Sequence, residues 1–320
     1  MAERLMLITQ NIDDSYLQQI NELAPDFKVI AGRDKEKWEP YAKEAEVIVG
    51  WKNELEKLSL DGESKLQWLQ SWSAGVNNMP LNKFSESDII LTSANGVHAY
   101  PISETIFALM LGLTRKIHTY VKQQQKKHWH HAHMNLELHE KTIGINGVGE
   151  IGKETARIAK AFRMNVIGVR HSGIPTENVD EMYTPDKLHE ILPLCDYVVI
   201  TLPLTEDTQG MFGSEEFYLM KKSAFLINIG RGEVIKEKDL ILALQEQEIA
   251  GAGLDVFIQE PLDGTNPLWG MENVIVTPHT SGSTEHYTKR VIEDIFIPNL
   301  KKYMKEDYQL TNLVDYEKGY

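Results

Sequence analysis

Residues 142–152 read Thr-Ile-Gly-Ile-Asn-Gly-Val-Gly-Glu-Ile-Gly, near the middle of the chain. Ile143 and Ile145 alternate as the buried end of a short strand. Gly147, Gly149 and Gly152 fit G-x-G-x-x-G, and Lys153 to Phe162 carries helical spacing. Strand, glycine turn and helix in that order form the phosphate-binding corner of a dinucleotide fold. Gly147 permits the tight turn, Gly149 lets backbone approach a pyrophosphate, and Gly152 lets the helix pack closely on the strand. Free N–H groups at the helix start face the anion. Val148, Glu150 and Ile151 therefore join the glycines as expected cofactor contacts.

Around this stretch lie 320 residues, enough for about two domains. A content of 42% hydrophobic and 25% charged residues is that of an ordinary globular chain with material for two cores. The net charge of -14 argues against a general nucleic-acid or anionic-membrane binder, while leaving room for a local basic pocket. Cys195 is the single cysteine, so no intramolecular disulfide forms, which suits a reducing cytoplasm. Its place before an apolar run reads as core packing. The N-terminus lacks the length and flanks of a signal peptide, and no apolar run reaches the roughly 18 residues of a membrane span.

Upstream of the glycine turn, the residues Leu5–Ile8, Phe27–Ile30, Val47–Val49, Leu66–Trp72 and Ile89–Thr92 read as strands, with a helix over Asp13–Leu23. Strands alternating with helices predict a small parallel α/β unit, and ligands of such sheets gather at the carboxyl ends of strands. Those ends hold Gly50-Trp51 and the turn Ala74-Gly75-Val76. Trp51 is either a substrate wall or an ordinary packing residue. Asn95–Pro101 reads as a crossing into a second unit. Ser103–Val121 then forms one long helix opened by Ser103, serving as a hinge, a domain brace or a dimer face.

Downstream, Asn165–Val169, Asp196–Thr201, Phe225–Ile229, Gly251–Val256 and Val274–Val276 are expected strands, with helices over Lys187–Leu192 and Lys238–Gln247. Thr284–Met304 reads as a closing helix that returns to the first unit. The expected fold is α/β: two Rossmann-like or flavodoxin-like parallel-sheet domains separated by an active-site cleft. Residues 1–97 and 284–320 form a discontinuous substrate domain, and residues 98–283 a dinucleotide-binding domain. A tract holding His128, His130, His131, His133 and His139 could chelate a metal. With no acidic base or second histidine cluster to organise it, the tract reads as a solvated loop, and no metal is assigned.

Dinucleotide folds specific for NAD place an acidic residue about 20 positions beyond the glycines, on the ribose hydroxyl. Arg170 stands there instead, followed by His171 and Ser172. An arginine pairs with the 2′-phosphate of NADP, so NADP is favoured over NAD.

Three further strand ends carry reactive groups: Gly230-Arg231-Gly232, Asp255 to Pro261, and Thr277-Pro278-His279-Thr280-Ser281-Gly282. With the glycine turn, Ser73-Ala74-Gly75-Val76, Pro203-Leu204-Thr205 before Thr208, the segment from Met220 to Gly232, and Asn266-Pro267-Leu268-Trp269, the chain resembles the D-isomer-specific 2-hydroxyacid dehydrogenases over nearly its whole length. The resemblance implies hydride transfer between a nicotinamide cofactor and a small 2-oxo acid, glyoxylate or hydroxypyruvate first among candidates, in a homodimer. It implies that Arg231 binds the substrate carboxylate and polarises the 2-oxo group through its fork of donors. His279 would be the acid/base and Glu260 its hydrogen-bonded partner. The N–H groups of Ala74, Gly75 and Val76 would grip the carboxylate, and Asp255 would accept from the nicotinamide amide. Leu202, Pro203, Thr208, Ile229, Gly230, His279 and Gly282 complete the implied cofactor contacts. Glu140 stands where many relatives have glycine, and the chain has no room for the regulatory domain of some phosphoglycerate dehydrogenases. A dinucleotide-sensing corepressor on the same fold is the alternative; turnover separates the two.

Overall fold

A computed structural model describes residues 4–60, 62–76, 78–131 and 135–316. The chain divides into two compact units, Met1–Val97 with Thr284–Tyr320, and His98–Ser283.

In the first unit, β1 (Arg4–Ile8), β2 (Phe27–Ala31), β3 (Val47–Val49), β4 (Trp68–Gln70) and β5 (Ile90–Thr92) form one sheet in the order β2-β1-β3-β4-β5. Every pair is parallel. Short continuous apolar runs make such strands because both faces of a parallel sheet are covered. Met6, Ile8, Val47, Val49 and Trp68 pack against Ile292, Phe296 and Leu300 of the late helical segment, while Leu5, Leu7, Ile48, Leu69 and Leu91 form the opposite core. The fourth strand is shorter than its sequence run predicts. The Ser71 hydroxyl donates to the Ser73 carbonyl at 2.8 Å and accepts its N–H at 3.0 Å, which turns the chain away. The closing segment is helical in three registers: Tyr287–Lys289, a π-helical stretch Arg290–Phe296, and Ile297–Tyr303. The wide turns end at Pro298, which has no N–H to offer the helix.

The second unit holds β6 (Thr142–Asn146), β7 (Asn165–Val169), β8 (Glu181–Tyr183), β9 (Tyr197–Ile200), β10 (Phe225–Asn228), β11 (Gly251–Leu254) and β12 (Val274–Val276) in the order β12-β11-β10-β9-β6-β7-β8. All pairs are parallel. Strand order reverses between β6 and β9, and a crevice at the carboxyl ends of such a switch point is where ligands bind.

The long helix expected over 103–121 is instead two, Ala99–Thr114 and Ile117–Gln125, parted at Lys116, whose φ of 51° is left-handed. Its start lies before Ser103, which is buried inside the helix and donates to the Tyr100 carbonyl. Pro101 is tolerated because N–H groups of a first turn have no helical partner. This helix is a core element of its unit: Leu109 lies over Gly253, and Ile275 lies over Gly112. β8 and the helix Ser214–Leu219 have no counterpart in the sequence reading. Cys195 is buried, and burial pushes its thiol up to about 12, so it packs and does not react. Among the described residues no helix is long and apolar enough to cross a membrane.

Candidate active site

β6 ends at Asn146, and the turn that follows is tied to its neighbours. Gly147 has φ 106°, which an L side chain rarely adopts, and its N–H donates to the Val169 carbonyl at 2.9 Å. From β9, the Thr201 hydroxyl donates to the Gly147 carbonyl at 2.6 Å. The helix starts at Glu150, earlier than the sequence spacing predicts, with Gly149 at its N-cap. Gly152 thus lies in the first turn, and a Cβ there would stand 2.5 Å from the Gly147 carbonyl oxygen. Gly149 is different: a Cβ would meet nothing within 4 Å.

These residues fit a dinucleotide. The N–H groups of Glu150, Ile151 and Gly152 precede the first internal bond of the helix, Lys153 to Gly149, and lie at the positive end of its dipole. The one acid in that turn, Glu150, is paired with Lys153 at 2.6 Å, which offsets its charge near a phosphate. At the end of β7, the Arg170 N–H is held by the Tyr183 carbonyl at 3.0 Å, and among the described residues no carboxylate pairs with its guanidinium. His171 and Ser172 follow, exposed. On the other side of the turn, Thr208 is buried and donates to the Pro203 carbonyl at 2.7 Å, holding the loop after Leu202.

The end of β10 is built by one buried amide. Asn228 Oδ1 accepts the Gly230 N–H at 3.1 Å, and its Nδ2 donates to the Arg231 carbonyl at 3.0 Å. Ile229 is buried, and a Cβ on Gly230 would lie 2.6 Å from the Leu202 carbonyl. Gly232 packs so tightly that a Cβ would stand 2.0 Å from the Phe257 carbonyl carbon. The Arg231 turn therefore lies directly on the loop that carries Glu260. Arg231 itself is exposed and donates to the Gly230 carbonyl at 2.7 Å.

His279 Nδ1 lies 2.7 Å from Glu260 Oε2, and Glu260 Oε1 accepts the Phe257 N–H at 3.0 Å. A carboxylate partner assigns the proton to Nδ1 and leaves Nε2 as the ring nitrogen outside that bond. Both side chains are partly exposed, His279 at 51% and Glu260 at 36%, so each is within reach of a ligand. Asp255 has no exposure. Its Oδ1 accepts from the Thr277 hydroxyl at 2.6 Å and the Thr280 N–H at 3.0 Å, and its Oδ2 from the Ser281 N–H at 3.0 Å. This carboxylate shapes the His279 turn, a role that sequence reading does not give it. His98, which sequence reading misses, lies 2.9 Å through Nδ1 from the Gly282 carbonyl.

In the first unit, the Ser73 hydroxyl donates to the Gly75 carbonyl at 2.9 Å, closing the turn Ala74-Gly75-Val76. Among the described residues no acceptor takes the N–H groups of these three. Trp51 stacks edge-on against Phe84 at 5.1 Å and is half-buried, a packing contact. His128 and His130 stack at 5.5 Å in an exposed segment with His131; His133 lies outside the described residues. Glu140 has φ 59°, a left-handed conformation that favours glycine.

The family model of the D-isomer specific 2-hydroxyacid dehydrogenase NAD-binding domain matches residues 107–281. The chain is 33% identical to a D-3-phosphoglycerate dehydrogenase of Methanocaldococcus jannaschii over 89% of its own length and 54% of that protein, so it spans about half of that relative. It is 34% identical to glyoxylate/hydroxypyruvate reductase B of Escherichia coli over 80% of its length and 81% of that protein. Among solved structures, the NADPH-dependent glyoxylate/hydroxypyruvate reductase of Sinorhizobium meliloti in complex with NADP and sulfate is similar at 27% identity, with a TM-score of 0.76 over 99% of this chain and 100% of that one.

Proposed function

The chain belongs to the D-isomer specific 2-hydroxyacid dehydrogenases, and we propose that it reduces a small 2-oxo acid to the D-2-hydroxy acid with NADPH, glyoxylate and hydroxypyruvate being the first substrates to test. The observation that carries this reading is the 2.7 Å contact of His279 with Glu260 on the loop beside the Arg231 turn. When bound, the nicotinamide supplies the hydride to the 2-oxo carbon. His279 Nε2 delivers a proton to the 2-oxo oxygen, and Glu260 fixes the tautomer and stabilises the charged imidazole before transfer. Arg231 takes the substrate carboxylate and draws electron density from the 2-oxo group.

We assign the N–H groups of Ala74, Gly75 and Val76 to the same carboxylate, so residues 1–97 with 284–320 act as the substrate unit. Residues 98–283 act as the dinucleotide unit. There the glycine turn and the helix start hold the pyrophosphate, Arg170 with His171 and Ser172 the 2′-phosphate, and the loops of Leu202 to Thr208 and of Ile229-Gly230 the nicotinamide side. Asp255, whose carboxylate takes donors from Thr277, Thr280 and Ser281, supports the nicotinamide side through the His279 turn. NADP is favoured by the unpaired Arg170, and NAD is the second cofactor. A cytoplasmic homodimer completes the proposal: the single cysteine suits a reducing compartment, and dimerisation is what the family resemblance implies. The net charge of -14 supports a small-molecule partner over nucleic acid.

The test is a panel of 2-oxo acids assayed by loss of NADPH or NADH absorbance. Turnover of a short 2-oxo acid, faster with NADPH, is expected. If no acid is consumed with either cofactor, the reductase reading fails.

A further inference from the structure

His98 is the first residue of the second unit, and Gly282 lies one residue before its end. His98 stands at the N-cap of the helix Ala99–Thr114, but its ring makes no cap bond there. Instead its Nδ1 lies 2.9 Å from the Gly282 carbonyl. A carbonyl only accepts, so Nδ1 carries the proton and donates it. Gly282 is what permits this approach: a Cβ there would lie 3.0 Å from Nδ1 and 3.5 Å from the ring carbons.

The held carbonyl belongs to the turn that presents His279. On its inner side, Asp255 takes the Thr277 hydroxyl and the N–H groups of Thr280 and Ser281. His279, between them, has φ 50°, a conformation that its Cβ disfavours. Its N–H bonds the Asp255 carbonyl at 2.9 Å. A left-handed histidine persists only where its surroundings over-determine the backbone. Asp255 supplies one anchor before and within the turn, and the far end at Gly282 is anchored by His98.

We infer that His98 is a positioning residue for the acid/base step, its Nδ1–H holding the Gly282 carbonyl so that the Thr277–Gly282 turn aims His279 at the substrate. This rests on the reading of His279 as proton donor.

Two isosteres separate the ring nitrogens. His98→Asn brings an amide N–H near the place of Nδ1, whereas the longer side chain of His98→Gln reaches the place of Nε2. In His98→Ala, amide exchange across residues 277–282 of the cofactor-free protein should quicken while the melting temperature stays within about 2 °C. Its kcat should fall by about tenfold or more, with KM and the fluorescence-titrated Kd for NADPH within about threefold, because misplacing a catalytic group costs rate before binding. His98→Asn should restore most of the exchange protection and of kcat, and His98→Gln should not. An alanine variant with wild-type exchange and kcat overturns the inference, as does restoration by glutamine equal to that by asparagine. His279→Ala, assayed in parallel, keeps the two readings apart. If it turns over normally, the acid/base assignment is lost. If it is inactive while His98→Ala is unchanged, only the role of His98 is lost.

Discussion

Glu260 binds His279 and its own loop at once: Oε2 lies 2.7 Å from His279 Nδ1, and Oε1 accepts the Phe257 N–H at 3.0 Å. The second bond fixes the carboxylate plane, so the imidazole is oriented by a group that is itself oriented. Phe257 is also where the Arg231 turn packs, through Gly232. One short loop thus orients His279 and borders the Arg231 turn.

Removing His279, the proposed proton donor, should cost the most. General acid–base catalysis contributes roughly a hundred- to ten-thousand-fold, and His279→Ala should lose that much kcat while NADPH still binds. Glu260→Gln keeps an acceptor at Nδ1 but removes the charge, so a smaller loss is expected, by about tenfold or more. Steady-state kinetics with a saturating 2-oxo acid, beside a fluorescence titration of NADPH, measures both. An unchanged kcat in His279→Ala removes the assignment.

The glycines of the turn should divide by what a methyl group meets. In Gly152→Ala the helix gains about 0.8–1 kcal/mol of propensity, but the new Cβ would stand 2.5 Å from a backbone carbonyl. Overpacking of that kind costs about 1–3 kcal/mol, so a net fall in melting temperature is expected. In Gly149→Ala the methyl meets nothing within 4 Å, so stability should hold while NADPH binding weakens, because the methyl occupies the space in front of the helix start. Equal melting losses in the two variants would show that the open face of Gly149 is not the ligand face.

What can be read in the sequence is set by local chemistry. Strands β6, β7, β9 and β10 are apolar runs bounded by turn residues, and the glycine turn names its own ligand class. The residues Arg231, Glu260 and His279 are legible only through motifs in register, because no periodicity links residues 19 positions apart, as Glu260 and His279 are. The break at Lys116 is not legible, since a left-handed lysine has no sequence signature and the apolar spacing continues past it. β8 is a half-buried edge strand of Glu-Met-Tyr, too short to show alternation. His98 reads as part of a crossing because its partner lies 184 residues away. The buried Asp255 reads as a ligand group alone, because sequence gives no sign of which carboxylates are filled by a turn.

Acid should weaken the first unit through Glu46. Burial alone pushes this carboxyl up, but the Arg4 guanidinium and the Tyr303 hydroxyl together hold it below its ordinary value. Arg4 grips it at 2.6 and 3.0 Å, and Tyr303 donates at 2.8 Å, joining β1, the residue before β3 and the final helix. A carboxyl lowered in the folded state stabilises above the ordinary carboxylate range, and that stability is lost as pH falls through the lowered value. Glu46→Gln should lower the melting temperature at neutral pH by an amount corresponding to about 1–3 kcal/mol. The gap to wild type should shrink in acid below the ordinary carboxylate range, as the wild-type carboxyl takes up its proton at its lowered value. Thermal unfolding at neutral pH and in acid decides it; an equal gap at both would mean that Glu46 acts through shape and not charge.

Cofactor choice should turn on Arg170. It stands at the end of β7, where the acidic residue of NAD-specific folds would bond the ribose, and among the described residues no carboxylate competes for it. A hydrogen bond to a charged group contributes about 1.5–3 kcal/mol, or roughly ten- to a hundredfold in Kd. Arg170→Asp both removes that donor and sets a negative charge against the 2′-phosphate, so NADPH should weaken by about a hundredfold or more. NADH lacks the phosphate and gains an acceptor for its ribose hydroxyls, so its Kd should stay level or fall. Titrating both cofactors by fluorescence into the two proteins gives four constants whose ratio isolates the phosphate term. Equal weakening of NADPH and NADH would place Arg170 in the fold of the loop and remove the argument for NADP from this residue.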